Sequence, residues 1–313
     1  MPLFYHAGAL GDFLLGLPFL RAARAARPEG PWTLAAPEPH AELAARIFPH
    51  ERRVAPGGLE LSPLTARELD PEQLGRVAER WGGLYGFLPR PREIEDAIER
   101  GRPGLPAVLE QPLGLAAAEG VEIETLLRDA IGRLGLPRRG LEPVDFALAR
   151  SELPELPRTS PYRAGPLRHP GGKLAILHPG ASDPAKMAPA ALFERIRARL
   201  LSEGWSVVAA RGPVERERGD PLPSGDVLDD PPILVLAHTI AEADLYVGND
   251  TGPTHLASVL GVRTVALHRT LNTAFRPRGA RARVVCWAPS SCGDPSALEP
   301  SALACVLEHA AGS

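Results

Sequence analysis

Three short stretches carry residue types that can hold an anion or move a proton. The richest is Asp250-Thr251-Gly252-Pro253. It follows the apolar, β-prone run Leu245 to Val247 and opens a helical pattern with Leu256, Val259 and Leu260 on one face, closed by Gly261. Pro253 suits a first helical turn, where its missing N–H costs nothing. The amides of Thr251 and Gly252, with the positive end of the helix, would point outward at the carboxyl end of a strand. Phosphates bind at such places. Asp250 or Thr251 would serve equally well as a simple cap. His255, one turn in, is either a core histidine or a support for this loop.

The second stretch is His178-Pro-Gly180-Ala-Ser182-Asp-Pro-Ala-Lys186. Gly180, Ala181 and Ser182 are small enough for a ligand to approach the backbone, and Lys186 can place an ammonium on a phosphate. Of 35 basic residues only Lys173 and Lys186 are lysine, so this one stands out against an arginine-rich background. The third stretch is Gly8-Ala-Leu-Gly11-Asp12. It lacks the third glycine of a dinucleotide fingerprint and has an aspartate at the helix start. Asp12 is either an N-cap or a general base, ionised by the helix N-terminus. Glu215 or Glu217, after a strand and a glycine, could take ribose hydroxyls. No Asp-x-Asp run, His/Cys cluster, Walker loop or Gly-x-Ser-x-Gly elbow is present. The expected site therefore has no metal and no cofactor. Diphosphate charge would be met by amides, helix dipoles and Lys186.

These loops need strands and helices to hold them. Strands are expected at Leu3 to Tyr5, Thr33 to Ala36, Arg53 to Ala55 and Val144 to Leu148, with a helix over Phe13 to Arg27 that Pro18 kinks or delays. Residues 56–120 read poorly, with helical pieces near Pro71 to Arg80 and Arg92 to Arg100 and short strands near Leu84 to Leu88 and Ala107 to Glu110. Val121 to Leu134 reads as an amphipathic helix. Ser151 to Gly172, with five prolines, reads as an interdomain linker. The pattern then restarts: strands at Leu174 to Leu177, Ser206 to Ala210, Val262 to Leu267 and Val284 to Trp287, with helices at Pro189 to Leu201, Pro232 to Ala241 and Ala297 to Ala310. Alternating strands and helices in both halves imply two doubly wound α/β domains, residues 1–160 and 161–313.

At 313 residues the chain can bury two cores. A net charge of −3 without like-charge blocks argues against nucleic acid. Three cysteines suit neither a disulfide framework nor a zinc site, and point to a reducing compartment. No signal peptide is evident, and no apolar run approaches the roughly 20 residues that span a bilayer. A cytoplasmic protein is expected, with at most peripheral contact with the inner membrane.

Together, Gly11-Asp12 with Pro18 and Leu20-Arg21, then His178 to Lys186, then Val247-Gly-Asn-Asp-Thr-Gly-Pro-Thr-His-Leu-Ala257, resemble glycosyltransferase family 9, the ADP-heptose:lipopolysaccharide heptosyltransferases. The resemblance implies a GT-B architecture: two Rossmann-like domains facing across a cleft, the first taking the acceptor and the second the nucleotide sugar. It implies metal-independent, inverting transfer of heptose from ADP-heptose to a lipid-linked core glycan. Carried over by motif, Asp12 would be the base, and Lys186 with the Thr251 and Gly252 amides would bind donor phosphate. Asp250 would hold sugar hydroxyls, and His255 would support the phosphate loop. Gly180, Ser182 and Glu215 complete the expected donor set, and Gly11 the acceptor-side loop. The chain departs from the family in having Lys186-Met-Ala188 where members usually have Lys-x-Trp. After the last long strand it has His268-Arg-Thr-Leu-Asn where they have a Gly-Pro-Thr turn. Transfer of another nucleotide sugar to a different acceptor, or nucleotide-sugar binding without catalysis, fits the same residues.

Overall fold

The computed structural model describes residues 1–45, 50–153, 155–156, 167–270, 274–287 and 298–311. They divide into two compact units, Met1–Asp145 and Phe146–Ser313.

In the first unit β1 (Leu3–Tyr5) runs into α1 (Leu10–Leu15) and α2 (Leu17–Ala26). The single helix expected here is two. The chain breaks at Gly16, and Pro18 falls in the first turn of α2, where its missing N–H is harmless. Then come β2 (Trp32–Ala35), α3 (Glu38–Ala44), β3 (His50–Val54), α4 (Pro71–Trp81), β4 (Leu84–Phe87), α5 (Pro91–Gly101), β5 (Ala107–Glu110), α6 (Leu113–Ala118) and α7 (Ile123–Arg133). The five strands are parallel, in the order β3-β2-β1-β4-β5. Helix α4 shows why the weakly patterned region folds. Asp70 accepts the Glu72 and Gln73 N–H groups as its N-cap, and Gly82 ends it at φ +62°. Leu74, Val77, Ala78 and Trp81 lie on its buried face and join Leu3, Leu84, Ile94, Ile98 and Leu109 in one core. Each such Leu, Ile or Val side chain contributes about 1.5–3 kcal/mol on burial.

The division between the units falls inside a four-residue helix, α8 (Pro143–Phe146). The strand expected over Val144 to Leu148 does not form. Pro143 starts a helical turn, Asp145 accepts the Glu142 N–H and pairs with Arg139, and Leu148 donates its N–H to the Val259 carbonyl. Of the expected linker, residues 154 and 157–166 lie outside the described residues.

The second unit comprises β6 (Leu174–His178), α9 (Ala190–Ser202), β7 (Ser206–Arg211), α10 (Pro213–Arg218), β8 (Asp226–Asp229), α11 (Ile233–Glu242), β9 (Leu245–Asn249), α12 (Gly252–Val259), β10 (Arg263–His268), β11 (Ala282–Cys286) and α13 (Leu298–Ala311). Its sheet is parallel throughout, ordered β11-β10-β9-β6-β7-β8. Strand β8 escaped the sequence reading, since its exposed Asp226, Val227 and Asp229 give an edge strand no apolar signature. The inner strands are buried on both faces and read as apolar runs, as parallel strands under helices must. Leu177, Val247 and Leu267 of the sheet pack with Leu192, Phe193, Ile196 and Leu200 of α9 and with Val306 and Ala310 of α13. The terminal helix thus covers its own unit's sheet. Among the described residues, no helix is long and apolar enough to cross a membrane. Cys286 and Cys305 are free and half-buried; Cys292 lies outside the described residues.

Candidate functional site

In the second sheet, β6 and β9 are neighbours, and the strand order reverses between them. Ligands of doubly wound sheets bind outside the carboxyl ends of the strands at such a switch point. The loop after β6 and the turn after β9 meet here, tied together by Asn249. This side chain is 0% exposed. Its Nδ2 donates to the carbonyls of Pro179 at 2.6 Å and Gly180 at 3.3 Å, and its Oδ1 accepts the Ala188 N–H at 2.9 Å. The Asn249 carbonyl in turn accepts the Thr254 hydroxyl at 2.5 Å.

The ends of this loop and turn bring Lys186 to Asp250. Lys186 closes a short 3-10 helix, Pro184–Lys186, whose N-cap is Asp183. Its Nζ lies 3.0 Å from Asp250 Oδ2. His255 Nε2 stands 3.7 Å and His268 Nε2 3.9 Å from Oδ1 of the same carboxylate. Burial pushes the Asp250 carboxyl up, but the His255 and His268 rings and the Lys186 ammonium outweigh it. They hold the group well below the usual carboxylate range. His268 is held below the ordinary histidine value by burial first, with His255 and Lys186 adding and Asp250 opposing. Thr251 is the N-cap of α12, and no side chain caps the helix. The positive end of α12 thus opens beside a carboxylate and an ammonium.

A further layer sets the loop's shape. The space that a Cβ at Gly180 would need is filled by Glu215, whose Cγ would lie 2.3 Å away. This glycine therefore makes room for a protein side chain. Glu215 is buried in the first turn of α10, and its Oε2 accepts the Gly212 N–H at 2.9 Å, whereas Glu217 is exposed. Arg218 donates to the carbonyls of Ala181 at 2.7 Å and Ser182 at 3.1 Å. Ser182 itself is exposed.

Gly11 and Asp12 belong to the first unit. They lie inside α1, where β1 and β4 are neighbours and that sheet's order reverses. Ala9 is the N-cap, and Asp12 sits in the first turn. Its carboxylate folds over Gly8: a Cβ there would meet Asp12 Oδ2 at 3.0 Å and His6 Cε1 at 3.1 Å. Behind it, His6 and His40 are buried among Phe13 and Phe87. Burial, helped by His40, pushes His6 down to about 3, and burial pushes His40 down to about 4. A pocket of about 390 Å³ in the same unit, lined by Pro18, Arg21, Ile131, Arg139 and Val144, contains neither Gly11 nor Asp12.

The second unit thus gathers Gly180, Lys186, Glu215, Asp250, Thr251, Gly252 and His255 at one sheet edge. Asn249, Arg218 and His268 belong with them and were missed. Asn249 is buried because it is the last residue of β9. Arg218 reaches the loop across 36 or more residues of sequence, which no local pattern reveals. Among the described residues, no group of three or more His, Cys, Asp and Glu side chains is placed to hold a metal ion.

Residues 145–297 match the model of glycosyltransferase family 9 (heptosyltransferase). The second unit carries a glycosyltransferase family 9 domain. Every second-unit site residue above lies within that match; Gly11 and Asp12 precede it. Lipopolysaccharide heptosyltransferase 1 of Pseudomonas aeruginosa is 31% identical over 145 residues, which is 45% of this chain and 38% of that protein. Among solved structures, a family 9 glycosyl transferase from Veillonella parvula superposes with a TM-score of 0.70 at 17% identity, covering 100% of this chain and 97% of that one. E. coli heptosyltransferase WaaC with ADP gives 0.64 at 17% identity, covering 99% of each chain. E. coli ADP-heptose lps heptosyltransferase II gives 0.59 at 18%, covering 98% and 99%. The whole chain, including the first unit outside the family 9 domain, therefore has the GT-B glycosyltransferase fold of two Rossmann-like units.

Proposed function

We propose that this protein is a metal-independent, inverting glycosyltransferase that moves heptose from ADP-heptose to a lipopolysaccharide core acceptor. The observation that carries the reading is the Lys186–Asp250 pair beside the uncapped start of α12, at the switch point of a family 9 domain. A leaving diphosphate needs positive charge where its negative charge develops, and an ammonium with backbone amides supplies it without reorganisation. Lys186 and the Thr251 and Gly252 amides are assigned to the phosphates, and Asp250 to sugar hydroxyls. His255 supports Asp250. Gly180 and Ser182 shape the loop. Glu215 is assigned to ribose through its second carboxylate oxygen. In the first unit, Asp12, presented with Gly11, is assigned as the base that takes the acceptor hydroxyl's proton late, as the new bond forms. The acceptor would be reached at the cytoplasmic face of the inner membrane by peripheral contact. No cofactor beyond the donor is invoked.

A second reading, transfer from a different nucleotide sugar, is favoured by His268-Arg269 standing at the end of β10 in place of the family's small turn. Calorimetry against ADP, UDP, GDP and CDP in a chelator separates the two. Selective ADP binding that weakens about tenfold or more in Lys186→Ala supports the first reading. Preference for another diphosphate moves the function to the second, and a strict magnesium requirement contradicts the lysine-and-amide account. With ADP-heptose as substrate, Asp12→Asn should lower kcat by about 10²–10⁴ while leaving ADP affinity nearly intact. Full turnover in Asp12→Asn would remove Asp12 from the role of base.

A further inference from the structure

Asp250 is surrounded by more basic side chains than one carboxylate requires. Lys186 approaches Oδ2, while His255 and His268 both face Oδ1, from the first turn of α12 and from the last residue of β10. The three differ in exposure. The Lys186 side chain is 48% exposed. His268 is 1% exposed, and neither ring nitrogen has a hydrogen-bond partner. A buried imidazole left unpaired is unfavourable unless another state of the site uses it.

We propose that His268 is a positioning residue of the donor site: when a nucleotide diphosphate draws Lys186 away from Asp250, His268 binds a proton from solvent and becomes the counter-ion of the Asp250 carboxylate. The inference rests on the donor-site reading above. Before binding, the lysine ammonium neutralises Asp250 and His268 is neutral. Afterwards the ammonium pairs with phosphate and the imidazolium pairs with Asp250. One proton enters from bulk water, and no covalent bond other than N–H forms.

The charged and titratable groups facing His268 are Asp250 from the turn after β9, His255 from α12 and Lys186 from the loop after β6. The ammonium opposes a charge on His268 and the carboxylate favours it, so removing the ammonium tips the balance toward protonation. Of the two rings, His268 is the one with both nitrogens unpartnered, and it closes β10 while His255 lies in the first turn of α12.

The test is proton linkage in ADP binding. Calorimetry at pH 6.5 in cacodylate, PIPES and Bis-Tris, buffers of different ionisation enthalpy, gives the protons taken up per ADP. The wild type should take up about 0.5 proton or more beyond His268→Gln, which cannot titrate. His255→Gln should keep most of that excess. A second measurement does not depend on the folding of the variant. In proton NMR of the wild type, the His268 ring should titrate about one unit or more higher with ADP bound than without. In Lys186→Ala it should already titrate higher without ADP. ADP binding with no excess uptake over His268→Gln, or an unmoved His268 titration, overturns this inference and leaves the donor site standing. Absence of ADP binding to the wild type overturns both.

Discussion

The Asn249 side chain makes three hydrogen bonds while wholly buried, and each fixes a backbone atom of the loop that carries Lys186. Asn249→Ala would leave two carbonyls and one N–H without partners. We expect it to destabilise the second unit by about 2–4 kcal/mol. Urea unfolding followed at Trp205 reads this, and ADP affinity should fall with it although the residue touches no ligand. An unchanged midpoint would mean that the loop holds its shape by itself. In the first unit the informative residues are His6 and His40, held down to about 3 and about 4. Their value in the unfolded chain is about 6.5, so unfolding takes up protons below that pH, and stability rises with pH across the window. Stability of this unit should therefore be full above about pH 6.5. It should fall toward pH 4 with a slope approaching about 1.4 kcal/mol per pH unit for each ring. His6→Phe, which keeps an aromatic ring against Phe13 and Phe87, should flatten that slope in denaturation midpoints measured from pH 7 to pH 5. An equal slope in the variant would remove His6 as the source.

Among elements, the loop between β6 and α9 is held from three sides: Asn249 from β9, Glu215 beneath Gly180, and Arg218 from the end of α10. Gly180→Ala would drive a methyl group into Glu215 and should cost about 1–3 kcal/mol, moving α10 or the loop. Thermal unfolding together with ADP affinity checks this; a variant as stable and as tight-binding as the wild type would show that Glu215 yields freely. The same loop shows how far an element can be read in advance. Its bounds follow from an apolar run, a Pro-Gly pair and a lysine, all local signals. The reason for its glycine is a contact with Glu215, 35 residues later, and the packing of α10 decides it. Likewise Asp70-Pro71 and Gly82 announce both ends of α4 within a weakly patterned region. Val144 to Leu148 misleads, since alternating apolar residues look like a strand where Pro143 and the Arg139–Asp145 pair set a helical turn.

For the whole molecule, donor binding by the second unit should appear there alone. At an ADP concentration near 100 times Kd, that unit should gain about 2.7 kcal/mol, while the first keeps its stability. Hydrogen exchange would show added protection over residues 178–188 and 249–255. Protection spread evenly over both units would contradict a donor site built by the second alone. Each sheet has its own strand reversal, β1 beside β4 and β6 beside β9, and each unit has its own core. The sequence by itself determined the alternation of strands and helices, the parallel sheets that alternation requires, and the strand-to-helix connections near Asp12, Lys186 and Asp250. Those features follow from periodicity, capping and turn chemistry, which act over a few residues. Tertiary structure alone decided that Lys186 and Asp250, 64 residues apart, form a pair, and that His268 joins His255 around one carboxylate. It also decided that Asn249 is a buried brace. Strand order sets which loops become neighbours, and long-range packing of the sheet, not any local preference, sets strand order.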